Sequence, residues 1–236
     1  MSEQNTYDQC ADQYAAWRAG AERAEAPDAL VLQRLLECVG DVSGQTVLDA
    51  GCGEGLVSRI LAGRGAKVTA IDVSARLVDI ARSRRGAEAI DYHVRDLSRP
   101  LAAYQAHFDL AVAHQVLSDV PDYRGFIATL AAVTRPGRRA VLSVNNPYSA
   151  VIREKVESYF DNGASVMYEG LAAHGIEVRY YHRTLEDYVT AFRDDGFVLN
   201  SLYDVPSCGR LPAGEMGQQA VRRQFPFFMV LEFLRV

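Results

Sequence analysis

Residues 46–72, TVLDAGCGEGLVSRILAGRGAKVTAID, constrain this chain more than any other stretch. Val47 and Leu48 end an apolar run that reads as a buried strand. The turn Gly51-Cys52-Gly53-Glu54-Gly55 follows, and Leu56, Ile60 and Leu61 then recur at helical spacing. Gly63 and Gly65 close that helix, and residues 68–71 form a second strand that stops at Asp72. A strand, glycine turn, helix and strand with an acid at the second tip is the unit that binds a nucleoside-bearing cofactor. Glycines let the backbone approach the ligand, and amides at the helix start favour negative charge. Asp72 is placed to accept hydrogen bonds from two ribose hydroxyls.

The glycine spacing selects among cofactors. A dinucleotide site needs G-x-G-x-x-G, whose helix start cradles a pyrophosphate. Here the run is G-x-G-x-G, and Asp49 precedes it by two residues. A carboxylate in that place repels pyrophosphate and suits an ammonium group. Adenosine carrying an amino-acid tail satisfies both halves. The motif VLDAGCGEG resembles the first motif of the class I S-adenosylmethionine (SAM)-dependent methyltransferases, and the resemblance runs in order from about residue 47 to residue 144. It implies an α/β fold: a doubly wound, Rossmann-like sheet of seven strands, the last antiparallel. An N-terminal helical lid over residues 1–40 and a small cap at 148–183, inserted after the fifth strand, complete a single domain of 236 residues. SAM is the implied cofactor, held by Asp49, Gly51, Cys52, Gly53, Gly55, Asp72 and its neighbour Val73. A nicotinamide dehydrogenase shares the general plan, but the spacing and Asp49 oppose it.

Composition excludes several other classes. Formal net charge is −5, which gives no general attraction to nucleic acid, and the arginine groups Arg82/Arg84/Arg85 and Arg135/Arg138/Arg139 read as solvated helix and turn ends. No apolar run reaches the ~18 residues of a membrane span, and the first ten residues lack a signal peptide's pattern, so a cytoplasmic protein without a membrane partner is expected. Cys10, Cys38, Cys52 and Cys208 are scattered without C-x-x-C, which reads as apolar filling rather than a zinc site or disulfide framework. No metal cofactor is expected. A homo-oligomer is left open.

Along the rest of the chain, Tyr7, Cys10, Ala11, Tyr14 and Trp17 share one helical face. They read either as plain packing or as a lid that excludes water. The resemblance implies a tyrosine near the methyl donor, making Tyr7 and Tyr14 catalytic candidates. Residues 28–39 form a helix whose Leu32, Leu35, Leu36 and Val39 face the core and whose N-cap is Asp28. Ser74 caps the helix after Asp72. A third strand covers 89–94, and Asp96 and Leu97 beyond it inherit adenine contacts from the resembled family, unless Asp96 merely caps its loop. A fourth strand, 108–113, delivers His114 and Gln115 to the cleft, because ligands in open parallel sheets lie beyond the strands' carboxyl ends. His114 is a candidate general base or cofactor contact.

The fifth strand, 139–144, runs into Asn145-Asn146-Pro147-Tyr148. The resemblance to the N-P-P-Y of DNA amino-methyltransferases is incomplete: theirs follows the fourth strand and has two prolines. The segment reads as a substrate-side loop. Residues 148–183 then form an insertion with helical pieces at 150–160 and 164–174 and a strand at 177–181. Tyr148, Tyr168, Tyr181 and His182 are its candidate acceptor contacts. A helix capped by Thr184 and ended by Gly196, a sixth strand at 197–205, a loop at 206–219 and a closing strand at 227–234 finish the chain. The expected activity is metal-free, in-line methyl transfer from SAM to nitrogen or oxygen of a small molecule, a secondary metabolite being one class the cap would accommodate. The competing reading is a SAM-binding protein without catalysis.

Overall fold

The computed structural model describes residues 6–21, 28–152, 154–172, 174–206 and 225–236. Pro27, Cys208 and all but the first residue of the loop expected at 206–219 lie outside them. Two short helices, α1 (Thr6–Gln9) and α2 (Ala11–Ala21), precede α3 (Ala29–Val39). The alternation that follows is β1 (Thr46–Ala50), α4 (Leu56–Gly63), β2 (Lys67–Asp72), α5 (Ala75–Ser83), β3 (Asp91–Val94), β4 (Phe108–His114), α6 (Tyr123–Val133) and β5 (Thr134–Asn145). The cap contributes α7 (Pro147–Ile152), β6 (Ser165–Met167), α8 (Glu169–Ala172) and β7 (Arg179–Tyr181), and α9 (Leu185–Asp194), β8 (Phe197–Pro206) and β9 (Pro226–Arg235) close the domain. Among the described residues no helix is long and apolar enough to cross a membrane.

The main sheet has seven strands in the order β3-β2-β1-β4-β5-β9-β8. The first five are parallel, while β9 runs antiparallel to both β5 and β8. This is the doubly wound sheet with an antiparallel closing strand that the sequence implied. Its central strands are covered on both faces, which is why they read as continuous apolar runs. On one face Phe108, Phe126, Leu130, Phe192 and Phe233 form a core with α6 and α9, and Phe192 stacks on Phe233 at 3.9 Å. On the other, Val31, Leu35 and Val39 of α3 pack with Leu61, Val78, Val47 and Val112. Within the span 1–40, therefore, α3 belongs to the body of the sheet, and α1 and α2 are the parts that lie elsewhere.

The cap departs from expectation. Residues 164–174 are not one helix: β6 pairs antiparallel with β7, Val166 opposite Tyr180, and only Glu169–Ala172 is helical. Gly163 and Gly175, at φ 84° and 74°, break the helical run at both ends, and the Gly163 amide donates to the His182 carbonyl, extending the ladder. The helix expected at 150–160 stops at Ile152, and the Lys155 amide turns back to the Ala150 carbonyl. Apolar spacing alone does not separate a short helix from a short strand, and here cross-strand pairing decides. Asp28 does occupy the N-cap position of α3, but its side chain makes no capping bond.

Candidate cofactor and acceptor site

The glycine turn leaves β1 and enters α4 with Gly51, Gly53 and Gly55 all at positive φ. At Gly51 (φ 76°) a Cβ would lie 2.3 Å from Val116 Cγ2, so this glycine lets the turn pack on the loop after β4. At Gly53 (φ 53°) the nearest atom to a Cβ is Tyr14 Cε1 at 4.0 Å, leaving an open face beneath that ring. The Gly53 amide donates to Asp72 Oδ2 and the Ser74 amide to Asp72 Oδ1, both at 2.8 Å. Asp72 thus ends β2 with its carboxylate braced against the turn, while burial pushes its carboxyl up against those bonds. Val73 beside it is 52% exposed.

Asp49 is fully buried and accepts a hydrogen bond from the Ser58 hydroxyl of α4 at 2.5 Å. Burial pushes its carboxyl up to about 7; Ser58 opposes this, and the neighbouring acids Asp72 and Glu54 reinforce it. A buried carboxylate whose charged neighbours are acids lacks a cation. The Cys52 thiol, buried in the same turn, is also raised.

Helices α1 and α2 sit over this turn. Ser74 Oγ donates to Asp8 at 2.5 Å, and Arg76 pairs with Asp12 at 2.8 Å, so the segment docks on the start of α5. Tyr14 meets Tyr7 edge-on at 5.2 Å and Trp17 at 5.9 Å. One turn along α2, the buried Arg18 forms an ion pair with Asp28, whose Oδ2 lies 3.9 Å from His114 Nε2. Burial raises the Asp28 carboxyl, but His114 and Arg18 reverse that and bring it to about 2. Burial lowers the His114 imidazole, and at 3.9 Å its contact with Asp28 is longer than a hydrogen bond, so the Arg18 guanidinium is the closer partner of that carboxylate. His114 Nδ1 lies 2.8 Å from Ser143 Oγ, leaving Nε2 buried without a hydrogen-bond partner. Gln115, at φ 55°, has its Nε2 in the same condition.

The loop after β4 also carries Asp119, a side chain that sequence reasoning passed over. Its Oδ2 accepts from the Tyr7 hydroxyl at 2.5 Å and its Oδ1 from the Tyr168 hydroxyl at 2.8 Å. Asn145, at the end of β5, donates to that Tyr168 oxygen at 2.8 Å. Arg183 shapes the loop from behind: its guanidinium donates to the carbonyls of Leu117, Ser118, Val120 and Pro121 and lies 4.3 Å from the Tyr123 ring centroid. Only the forked guanidinium spans so many acceptors. Arg183→Lys keeps the charge but strands several carbonyls, so a loss of about 2–3 kcal/mol is expected, read by urea denaturation. An unchanged midpoint would show that the loop holds itself.

The other sequence candidates fall in different places. Tyr168 joins Asp119, but Tyr148 is 49% exposed and stacks on Tyr159 at 4.8 Å on the outer cap. His182 Nε2 is 2.8 Å from the Tyr159 carbonyl oxygen, and the Tyr181 amide donates to the Ser118 carbonyl. Asp96 is exposed and accepts from both the amide and the hydroxyl of Ser98, while Leu97 is buried in the core. No group of three or more His, Cys, Asp or Glu side chains among the described residues is arranged to hold a metal ion.

Residues 19–202 match a family described as a methyltransferase domain. The chain belongs to that family. Its strand order, glycine turn and antiparallel closing strand are those of a class I SAM-dependent methyltransferase. Among curated proteins the methyltransferase is similar to the ubiquinone biosynthesis O-methyltransferases of Xylella fastidiosa (39% identical over 108 residues, 44% of each chain) and Xanthomonas oryzae pv. oryzae (38% over 109 residues, 45% of each). The matched stretch is thus under half the length of those relatives. Among solved structures it resembles a SAM-dependent methyltransferase from Mesorhizobium loti (24% identity, TM-score 0.69, covering 86% of this chain and 96% of that one). It also resembles the putative methyltransferase solved with the Haloferax volcanii Trm112 activator (18%, TM-score 0.73, 99% of each). These likenesses establish the fold. SAM is the methyltransferase's cofactor, and the turn fits it: Asp49 lacks a cation that the ammonium would supply, and the face of Gly53 is open.

Proposed function

We propose that the protein transfers the methyl group of SAM to an oxygen or nitrogen of a small organic acceptor, without a metal ion. The observation that carries this reading is the span of one lid: Tyr14 lies against Gly53 of the cofactor turn, and Tyr7 of the same lid reaches Asp119 beyond β4. Asp49 would hold the ammonium, Asp72 the ribose, and Val73, Asp96, Leu97 and Gln115 the remainder of the adenosine. His114, Tyr7 and Tyr14 would border the reacting end, and Tyr168 would meet the acceptor from the cap. When bound, SAM supplies an electrophilic methyl on a good leaving group. The chain's own task is to hold the acceptor in line and exclude water, which contributes on the order of 7–11 kcal/mol to lowering the barrier.

Transfer of labelled methyl from SAM to a panel of phenols, alcohols and amines tests this. Turnover unaffected by EDTA and lost in Asp72→Ala is expected. Tight SAM binding with no product on any acceptor would make the protein a binder, and tight NAD binding without SAM binding would refute the cofactor as well.

A further inference from the structure

We infer that Asp119 is a catalytic residue that receives the acceptor's proton, and that the acceptor is a flat molecule presenting a phenolic hydroxyl to it. This rests on the methyl-transfer reading and names the acceptor class for the same cleft. Three separate parts of the chain converge on this carboxylate: Tyr7 from α1, Tyr168 from the cap and, through Tyr168, Asn145 from β5. It stands on the loop beyond β4, where ligands of an open parallel sheet collect. A chain of contacts also links it to the cofactor turn, from Asp119 through Tyr7 and Tyr14 to Gly53. Tyr14, against Gly53, has a hydroxyl raised mainly by burial, with Asp119 and Asp72 both adding to it, so one ring feels both acids.

The carboxylate remains open to a third donor. An ionised carboxylate offers about four lone-pair positions, and the two tyrosines use two. Asp119, Tyr7, Tyr14, Trp17 and Tyr168 all keep partial exposure, and the four rings pack around Cys10, Leu171, Ile176 and Val178, so the carboxylate has aromatic surroundings that suit a planar ring. Burial pushes Asp119 up to about 7 against the opposing tyrosine hydroxyls and Arg183. The titratable and charged groups facing it are Tyr7 of α1, Tyr14 of α2, Tyr168 of the cap, Tyr188 of α9 and Arg183. Tyr7 and Tyr168 are themselves raised by burial and by Asp119, so they stay protonated as donors.

The chemistry favours a hydroxyl over an amine. A carboxylate beside an ammonium holds the proton on nitrogen and removes the lone pair that must take the methyl. A phenol keeps an oxygen lone pair while still protonated, and its proton can pass to the carboxylate as the methyl arrives. The acceptor O–H bond breaks, an O–H bond forms on Asp119, and the electron pair left on the acceptor oxygen takes the methyl from the sulfonium, whose sulfur leaves as a neutral thioether. The carboxylate and sulfonium charges both disappear, so the step is balanced without another reactant.

The test uses the whole chain saturated with S-adenosylhomocysteine and 4-nitrocatechol as probe, a phenol whose electron-withdrawing nitro group makes it anionic in mildly alkaline solution. Calorimetry in two buffers of different ionisation heat counts the protons exchanged on binding. Placing a phenolate beside ionised Asp119 requires uptake of about one proton. Wild type and His114→Asn should show it, and Asp119→Asn should show close to none, whatever its affinity for the probe. Uptake that survives in Asp119→Asn, or that is lost in His114→Asn instead, overturns the assignment. So does a wild type that binds the demethylated cofactor but not the probe, which leaves the methyltransferase reading standing. Failure to bind the demethylated cofactor would defeat that reading itself. Should Asp119→Asn not fold, the Tyr7→Phe/Tyr168→Phe double variant serves. Removing two donors raises the Asp119 midpoint, so uptake should persist about one pH unit higher, and an unmoved midpoint overturns the inference.

Discussion

Asp49→Asn is expected to weaken SAM binding about a hundredfold while leaving the fold intact, an effect on the order of 3 kcal/mol. Asparagine keeps the size of the side chain and can still accept from Ser58, so the loss isolates the charge. The same variant changes the pH dependence. In the empty protein the Asp49 carboxyl is raised from its ordinary 3.8 to about 7, so the fold binds its proton more tightly than the unfolded chain does. That contribution to stability is complete below the ordinary value and is lost as pH rises through about 7. Asp49→Asn should therefore make the empty protein more stable than wild type at pH 8, although it binds cofactor less well. An ammonium beside Asp49 favours the ionised carboxyl, so wild-type affinity should climb between about pH 5.5 and 7.5 and the variant's should stay flat there. Calorimetric titration across that range decides, and parallel profiles would remove Asp49 from the ammonium.

Gly51→Ala is expected to cost about 3 kcal/mol. A left-handed φ of 76° adds roughly 1–2 kcal/mol for a residue with a Cβ. The new methyl also meets Val116 Cγ2 at 2.3 Å and its Cβ at 2.7 Å, overpacking that adds about 1–3 kcal/mol. Val116 is β-branched and cannot swing aside freely. The double variant Gly51→Ala/Val116→Ala should recover the packing part and not the backbone part. Gly53→Ala is the contrast: nothing lies closer than 4.0 Å, so its loss in denaturation should be smaller and its loss of cofactor affinity larger. Equal stability of Gly51→Ala and wild type would show that the turn relaxes away from the loop.

The core of the fold was legible because its signals are local. The continuous apolar runs of buried strands, helical spacing after a glycine turn and an acid on the second strand each lie within about thirty residues. The same reasoning failed in the cap. The stretch 164–174 carries apolar residues at helical spacing, yet Val166 finds Tyr180 across an antiparallel pair, a partner that spacing within the segment cannot reveal. Asp28 read as a helix cap because it precedes α3; its carboxylate instead meets Arg18 from α2, and the N-cap makes no side-chain bond.

The sequence by itself determined the sheet, the turn, and the positions of Asp49 and Asp72 on adjoining parallel strands, since short connections and strand order dictate them. Only the tertiary structure decided which side chains meet at the far end of the cleft. Tyr7 and Asp119 are 112 residues apart, and Tyr168 comes from a cap whose pairing the sequence concealed. Asp119 sits in Ser118-Asp119-Val120-Pro121, where a carboxylate reads as a turn residue. Its environment is made by packing: burial raises it, two distant hydroxyls hold it and Arg183 fixes its loop. Those are properties of neighbours in space, which no pattern along the chain records.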